Sequence, residues 1–556
     1  MTPLGAAAAP PVPAQFLVGT AAVNINPKEW PVAAAAYGMH DASSVQEGRD
    51  FMARSIAISS MDGSMAHTVV LTVLDSQGYF IAYKEDPVGG PGYGTAAIRQ
   101  QVMSDRGLDP EHVIVATTHT HNSPDSIGVW GGGQNIHNVH YLAVVRDGAV
   151  ASIEGALANR RPATLSVGMV DAREYQDTLD QVRANPTTYP IDRLLRVLQA
   201  KDAGGKVVAT LVNYGNHGTV LGPEPQISPD WPGEVAYQLD ARWGRGTTVV
   251  VPGAVGRTWP NFPDPHTGNN WQAYLAAFGR LLVAKVDAAL ARARPIVDGT
   301  VGGTGGAFIQ AITDPAADAL LVTEACPPGA GVCGTMRSVL PPYLYGVAAV
   351  GSDLAAFRVG DLFIGGAPAE AYPEVATELQ SRVLGAAVCG DNRHVFALSL
   401  TNDQLGYTPT ADEYSVAVLY GGDEGIFSVN PTIGNDVINR QLANARTLGL
   451  TTGPDYTQMT PLLAQPADGG AAPPFGDAAG PAPNCAVVDA SIASSPAGPL
   501  VVAAQLPPTS TALMALGSAL GVALLAALSL VLGFAKRVWR VSPAEGRAKA
   551  SRPRTP

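Results

Sequence analysis

Cysteine is scarce in this chain, with 4 residues among 556, and no two of them form a Cys-x-x-Cys pair. This spacing argues against a thiolate zinc site or an iron–sulfur cluster. Cys326 and Cys333 bracket a turn-rich loop that can close as a small disulfide, which leaves Cys389 and Cys485 as a second pair. We expect disulfides; the alternative is four unpaired thiols in a reducing compartment.

Basic residues are also fewer than acidic residues in this chain. The chain has 35 Lys and Arg residues against 47 Asp and Glu residues, a net charge of −12, and a pI near 5.3. Binding to phosphate backbones needs a basic face, so nucleic acid is not expected as a partner. Enough Val, Leu and Ile remain for a globular protein, and the length allows roughly two to four domains.

One long run lacks charge altogether. Residues 512–535 consist largely of Leu, Ala, Val and Gly, and Lys and Arg residues follow from position 536 onward. At about 1.5 Å per residue, a helix of this length crosses a hydrocarbon layer of roughly 30 Å. The positive-inside rule then predicts a single-pass protein of the cell membrane, with its C-terminal tail in the cytoplasm and its catalytic domain outside. Residues 1–15 show no export signal. Two explanations remain: either the true start of the protein lies further upstream, or the protein is tail-anchored and its body is in the cytoplasm.

Composition divides the chain into four parts. Residues 16–450 alternate short apolar runs with turn and helix signals. This pattern predicts an α/β domain, built on a mixed sheet with an active site at the carboxyl ends of its strands. Residues 451–511 are rich in Pro, Ala and Gly and are expected to form a linker or stalk. Residues 512–535 are the predicted transmembrane helix, and residues 536–556 the basic tail.

Polar side chains follow several of the predicted strands. Strands are expected at residues 51–59 and 68–74, in the apolar run that starts at residue 113 and ends at two histidines, and at 207–212, 247–251, 362–364 and 395–400; a helix is expected at 95–107. His119 and His121 follow the third strand, His217 the fourth, Glu370 the sixth and Tyr407 the last. Loops are generally polar, but histidine is scarce here, with 10 residues in the chain. Its presence after two strands therefore favours a metal site or proton-transfer chemistry.

These stretches together resemble the neutral, non-lysosomal ceramidase family over roughly residues 17–435. The most specific match is at residues 118–124, where Thr-His-Thr-His-Asn-Ser-Pro is close to the family's Thr-His-Thr-His-Ser-Gly-Pro. Further matches are a glycine-containing segment at 18–22 and 37–39, residues 48–54, which resemble the family's Arg-x-x-Ala-Arg segment, residues 191–198, and residues 403–414.

The resemblance implies a zinc site and an activity. Family members hold zinc with two histidines, a glutamate and a tyrosine, which by position are His119, His217, Glu370 and Tyr407. His121, Arg183 and Tyr420 are then the groups that hold or polarise the substrate carbonyl. Zn²⁺ in such a site lowers the pKa of a water molecule to roughly neutral. The resemblance thus implies a zinc-dependent hydrolase of amide bonds, with an N-acyl sphingoid lipid such as ceramide, or another small amide, as substrate.

Two departures from the family pattern bear on this activity. The family carries a serine in Gln-Ser-x-x-Gly-Asp after the strand at 247–251, whereas this chain has Gly253 in place of the serine and Arg257 in place of the aspartate. Without that serine, attack is expected from metal-activated water. We also expect the predicted stalk and membrane helix to take the place of the family's C-terminal immunoglobulin-like domain. Two alternatives follow: a catalytically degenerate, membrane-tethered binding protein, or a zinc hydrolase of a different amide or ester.

Asp75, at the end of the second strand, is expected to orient a ligand histidine.

Overall fold

The computed structural model describes residues 12–36, 39–178, 191–222, 225–261, 271–323, 334–340, 347–385, 395–414 and 427–457. Its largest element is a nine-stranded mixed sheet. The strands of this sheet are β1 (Gln15–Asn24), β2 (Met52–Ser59), β3 (Thr68–Leu74), β4 (Val113–Thr117), β5 (Arg161–Asp171), β6 (Leu194–Lys201), β7 (Val207–Tyr214), β8 (Thr248–Pro252) and β9 (Arg294–Pro295).

The order of strands across this sheet is β8-β7-β6-β5-β1-β2-β3-β4, and the short β9 pairs with β5. Neighbouring strands are antiparallel except at the two ends, where β7 pairs with β8 and β3 pairs with β4 in parallel. Parallel pairs place their carboxyl ends together. The residues that follow β3 and β4 therefore meet at one end of the sheet, as do those that follow β7 and β8.

A second, four-stranded sheet lies against the first. It contains β10 (Val301–Thr304), β11 (Ala356–Val359), β12 (Leu362–Gly366) and β13 (Val395–Leu398) in that order, and β12 and β13 are parallel. The remaining strands are short: Val32–Ala33, Asp41–Ala42, Ser44–Val45, Gln176–Thr178, Gln226–Ile227, Thr258–Pro260, Ala307–Ala311, Ala349–Asp353, Glu370–Ala371, Val383–Gly385, Tyr407–Thr408 and Thr451–Thr452.

Seven α-helices cover the outer faces of the two sheets in the part of the chain that the structure describes. They are α1 (Thr95–Arg106), α2 (Ile136–Ala158), α3 (Asp230–Trp243), α4 (Trp271–Ala291), α5 (Pro315–Leu321), α6 (Pro373–Arg382) and α7 (Ile433–Thr447). Helix α1 ends at Gly107, whose φ of 67° is the left-handed conformation that glycine adopts at low cost. Proline at the first position of α6 fits there because that position needs no N–H donor.

The main core lies between the two sheets. Val18, Leu71 and Ile114 of the large sheet and Phe357 and Phe396 of the small sheet belong to one buried apolar cluster. Separate clusters join α1 and α2, and α3 and α4, to the outer face of the large sheet, and another joins α6 and α7 to the small one. This packing brings the carboxyl ends of strands from both sheets together.

The predicted membrane span is corrected by the structure. Among the described residues, no helix is long and apolar enough to cross a membrane. The two longest, α2 and α4, each carry three charged side chains: Arg146, Asp147 and Glu154 in α2, and Arg280, Lys285 and Asp287 in α4. The predicted mixed α/β domain is present, but the finding contradicts the C-terminal transmembrane helix of the predicted fold, the placement in the cell membrane, and the membrane contact through that helix. Residues 512–535, the run behind the prediction, lie outside the described residues.

Candidate metal centre

His119 lies just beyond β4 in an unusual backbone conformation. Its φ is 57°, in the left-handed region, where a residue with a β-carbon carries a free-energy cost of about 1–3 kcal/mol. The ring is fully buried, and Nδ1 donates a hydrogen bond to the carbonyl oxygen of Gln77 at 2.7 Å. Because Nδ1 carries the proton of the neutral ring, Nε2 presents a lone pair.

His217 follows β7 and is held in the same manner. Its Nδ1 donates to the carbonyl oxygen of Thr258 at 2.8 Å, which leaves a lone pair on Nε2. The indole of Trp259 stacks on the imidazole, with ring centroids 4.6 Å apart and an angle of 7° between the planes. The indole N–H of Trp231 donates to the carbonyl oxygen of His217 at 2.7 Å. Contacts on both the ring and the backbone therefore fix the orientation of this histidine.

A glycine allows the two histidine loops to touch. The backbone N–H of His121 donates to the carbonyl oxygen of Gly218 at 2.9 Å. A β-carbon on Gly218 would lie 2.7 Å from the carbonyl oxygen of His119, closer than real β-carbon contacts. Glycine at this position is therefore needed for the approach that brings His119 and His217 together.

Glu370 reaches the histidines from the segment that follows β12 of the second sheet. Its Oε2 lies 3.2 Å from Nε2 of His119 and 3.2 Å from Nε2 of His217. The other oxygen, Oε1, accepts a hydrogen bond from the side-chain amide of Gln404 at 3.3 Å. In a short parallel pair of strands, Glu370 lies opposite Tyr407, so the backbone of Tyr407 is next to that of Glu370.

The arrangement of these atoms fits a metal ion. Two imidazole lone pairs and a carboxylate oxygen face one another, and both Nε2 of His217 and Oε2 of Glu370 are buried without a hydrogen-bond partner. Such an arrangement is repulsive unless a cation or a proton lies between the groups. A tetrahedral zinc ion with bonds of about 2.05 Å holds its ligand atoms about 3.3 Å apart. The separations of 3.2 Å match that spacing.

Burial and mutual charge shift the pKa values of the groups in this centre. Burial opposes ionisation of Glu370, but the two neighbouring imidazoles hold the pKa of its carboxyl well below the ordinary value. Burial lowers the pKa of His121 well below its ordinary value, and His119 and His217 lower it further. Burial also works against protonation of His119, yet Glu370 raises the pKa of that ring. The centre thus combines an ionised carboxylate with a neutral His121.

Most of the predicted site residues in the described ranges gather here. His119, His121 and His217 form a group whose ligand atoms lie within 4.8 Å of one another, and Nε2 of His121 is 3.2 Å from Nε2 of His119. Glu370 joins them directly, and Tyr407 is its strand neighbour. The other sequence predictions concern residues outside the described ranges: Arg183, Tyr420, the four cysteines, and all but the first seven residues of the stalk.

Other residues of the centre were not singled out from the sequence. The backbone carbonyl of Gln77 accepts the hydrogen bond from His119. Asp75, which we expected to orient a ligand histidine, instead accepts a hydrogen bond from the backbone N–H of Met52 at 2.9 Å. Every residue has a backbone carbonyl group, so the residue types at positions 77 and 258 could not predict the roles of Gln77 and Thr258. Gln404 gave a weak signal, because it lies three residues before Tyr407 in a loop that follows a strand.

Comparison with known proteins supports the resemblance to the neutral ceramidase family. No family model matches the sequence. The neutral ceramidase of Pseudomonas aeruginosa is 23% identical over 387 residues, which is 56% of this chain and 56% of that protein, so the match spans little more than half of the relative. The crystal structure of neutral ceramidase from Pseudomonas aeruginosa superposes with a TM-score of 0.59 at 18% identity, covering 81% of this chain and 77% of that one. A ceramidase complexed with C2 gives 0.58, also at 18% identity, covering 81% and 78%.

At these identities the structural matches establish the fold. Together with the sequence match, they confirm the resemblance that the His-Thr-His motif and its neighbours predict: the chain is a divergent relative of the neutral ceramidases.

Proposed function

We propose that this protein is a metal-dependent hydrolase of amide bonds, with an N-acyl sphingoid lipid such as ceramide as substrate. The observation that carries the proposal is the convergence of Nε2 of His119, Nε2 of His217 and Oε2 of Glu370, with separations of 3.2 Å from the carboxylate to each nitrogen. The similarity to neutral ceramidase supplies the substrate class.

In this proposal the ion is Zn²⁺, and His119, His217, Glu370 and Tyr407 hold it. When bound in such a site, zinc acts as a Lewis acid and lowers the pKa of water to roughly neutral. Glu370 contributes the negative charge that offsets the cation, and the carbonyls of Gln77 and Thr258 keep the two ring nitrogens correctly oriented. His121, kept neutral by burial, faces the substrate carbonyl. Arg183 and Tyr420 are assigned to the substrate by resemblance alone.

The loop after β8 supports attack by water. Gly253 has no side chain to act as a nucleophile, and a β-carbon there would lie 2.9 Å from the backbone nitrogen of Gly215. The backbone of the turn that leads to His217 thus occupies the space that a serine side chain needs. We therefore assign hydrolysis to water within the site.

A substrate panel tests the proposal. Zinc-loaded protein is incubated with labelled ceramide, other N-acyl amides and esters, and the released fatty acid is measured. We expect release from ceramide, and we expect His121→Ala to retain zinc while kcat falls by about 10²- to 10³-fold. A zinc-loaded protein that hydrolyses nothing in the panel would instead be the degenerate binding protein. Loss of zinc in His121→Ala would make that residue a metal ligand.

A further inference from the structure

Arg257, which replaces an aspartate of the family pattern, lies at the centre of a buried ionic cluster. Only 4% of its surface is exposed. One end of its guanidinium donates to the carboxylate of Glu374 and the other to that of Glu413, and both of these glutamates are buried. The guanidinium carbon also lies 5.1 Å from the centre of the Tyr372 ring.

The two glutamates belong to the two segments that carry proposed metal ligands. Glu374 lies in the first turn of α6, four residues after Glu370, and Glu413 lies six residues after Tyr407. The loop that carries Arg257 is joined to the first segment by the backbone as well, since the N–H of Gly256 donates to the carbonyl oxygen of Ala371 at 2.8 Å. Arg257 thus bonds to one carboxylate from each segment.

The cluster holds one guanidinium and two carboxyl groups. Burial raises the pKa of Glu374 to about 8, opposed by Arg257 and helped by the nearby charge of Glu413. Protonation of Glu374 is therefore favoured, and it lessens the excess of negative charge around Arg257. A buried group with this charge balance is compatible with a stable core, whereas removal of the arginine would leave a carboxylate unpaired.

We propose that Arg257 is a positioning residue for the metal centre, which fixes the Glu370 segment and the Tyr407 segment in the arrangement that the ion requires. The inference rests on the metal site of the proposed function. It assigns a role to Arg257 in place of the family's aspartate. From the sequence alone, this substitution is equally compatible with a site that has lost its activity. The planar fork of arginine suits this task because it bonds to two carboxylates at once in a fixed geometry.

The test separates positioning from simple charge balance. Arg257→Met leaves Glu413 without its cation, whereas Arg257→Met/Glu413→Gln removes both charges. Arg242→Met is the control, because Arg242 forms an exposed ion pair with Asp287 remote in sequence from these segments. For each protein we measure zinc affinity by competition with a chelator, the absorption spectrum of the Co²⁺-substituted site, and Tm.

We expect Arg257→Met to lower Tm and to weaken zinc binding by about 10- to 100-fold, with a shifted Co²⁺ spectrum. The double variant should recover much of the Tm but neither the affinity nor the spectrum, and the control should match the wild type. Wild-type zinc affinity and spectrum in the double variant would overturn the inference while leaving the proposed function intact. Absence of metal binding in the wild type would overturn both.

Discussion

At the scale of single residues, buried charge is confined to places where it has partners. Asp75 is buried, and its carboxyl group accepts a backbone hydrogen bond from Met52. Burial raises the pKa of its carboxyl to about 7, although the charge of Arg54 partly offsets this. A carboxylate with this environment costs stability whenever it is ionised.

The sign of the resulting pH dependence follows from linkage. The folded pKa of Asp75, about 7, is above the value of 3.8 for a free side chain. The protonated carboxyl group of Asp75 therefore contributes stability that is fully present below about pH 4 and is lost as the pH rises through about 7. We expect Asp75→Asn to be more stable than the wild type at about pH 8, by at most about 4 kcal/mol, and the difference to vanish near pH 4.

Urea unfolding of both proteins across this pH range checks the prediction. If Asp75→Asn gives the same difference in the free energy of unfolding at about pH 4 and about pH 8, then the carboxyl group does not titrate in the folded protein as we describe.

At the scale of elements, the centre depends on backbones that approach closely. The loop after β8 packs on the turn after β7, and Gly253 lies at their contact with Gly215. A side chain at position 253 would push apart the two turns that follow parallel strands of the same sheet. The glycine that replaces the family's serine is therefore required by this packing.

Substitution of this glycine is expected to damage the protein. We predict that Gly253→Ser lowers the free energy of unfolding by about 1–3 kcal/mol and yields no new hydrolytic activity. Gly222→Ser is the matched control, because no atom lies within 4 Å of a β-carbon at Gly222, and its effect should stay within about 0.5 kcal/mol. Thermal unfolding and the amide-release assay give both readouts. A Gly253→Ser protein with unchanged stability and higher activity would contradict this account of the loop.

The sequence allowed good prediction of elements that have strong local signals. The apolar, β-branched runs predicted β3 at residues 68–74 with the bounds that the structure shows and a strand that starts at residue 113, where β4 begins; the helix predicted at 95–107 is α1. The pairing of strands was not predictable in the same way, because register and neighbours are set by contacts between residues far apart in sequence.

The candidate site was only partly predictable for the same reason. His119, His217 and Glu370 were identified because they follow strands and match a motif. The contacts that orient them were not: Gln77 and Thr258 act through backbone carbonyls, and the partners of Arg257 lie 117 and 156 residues away in the chain. The membrane-spanning prediction rested on hydropathy alone, and no helix among the described residues supports it.

At the scale of the whole molecule, the two sheets divide the metal centre between them. The loops after strands of the large sheet supply His119, His121 and His217, and the segment that follows β12 of the small sheet supplies Glu370. The centre is therefore complete only when the sheets are packed together through their shared core. A metal bound at this junction is expected to stabilise the packed form, since it binds the folded state and not the unfolded chain.

Zinc content is the most direct test of the central claim. We predict that elemental analysis of the purified protein, reconstituted with zinc and desalted, finds about one ion per chain in the wild type and none in His119→Ala. His140→Ala is the control, because that histidine is exposed and pairs with Glu29 at the surface, and it should retain about one ion per chain. A wild-type protein without bound zinc, or a His119→Ala protein that keeps it, would contradict the account.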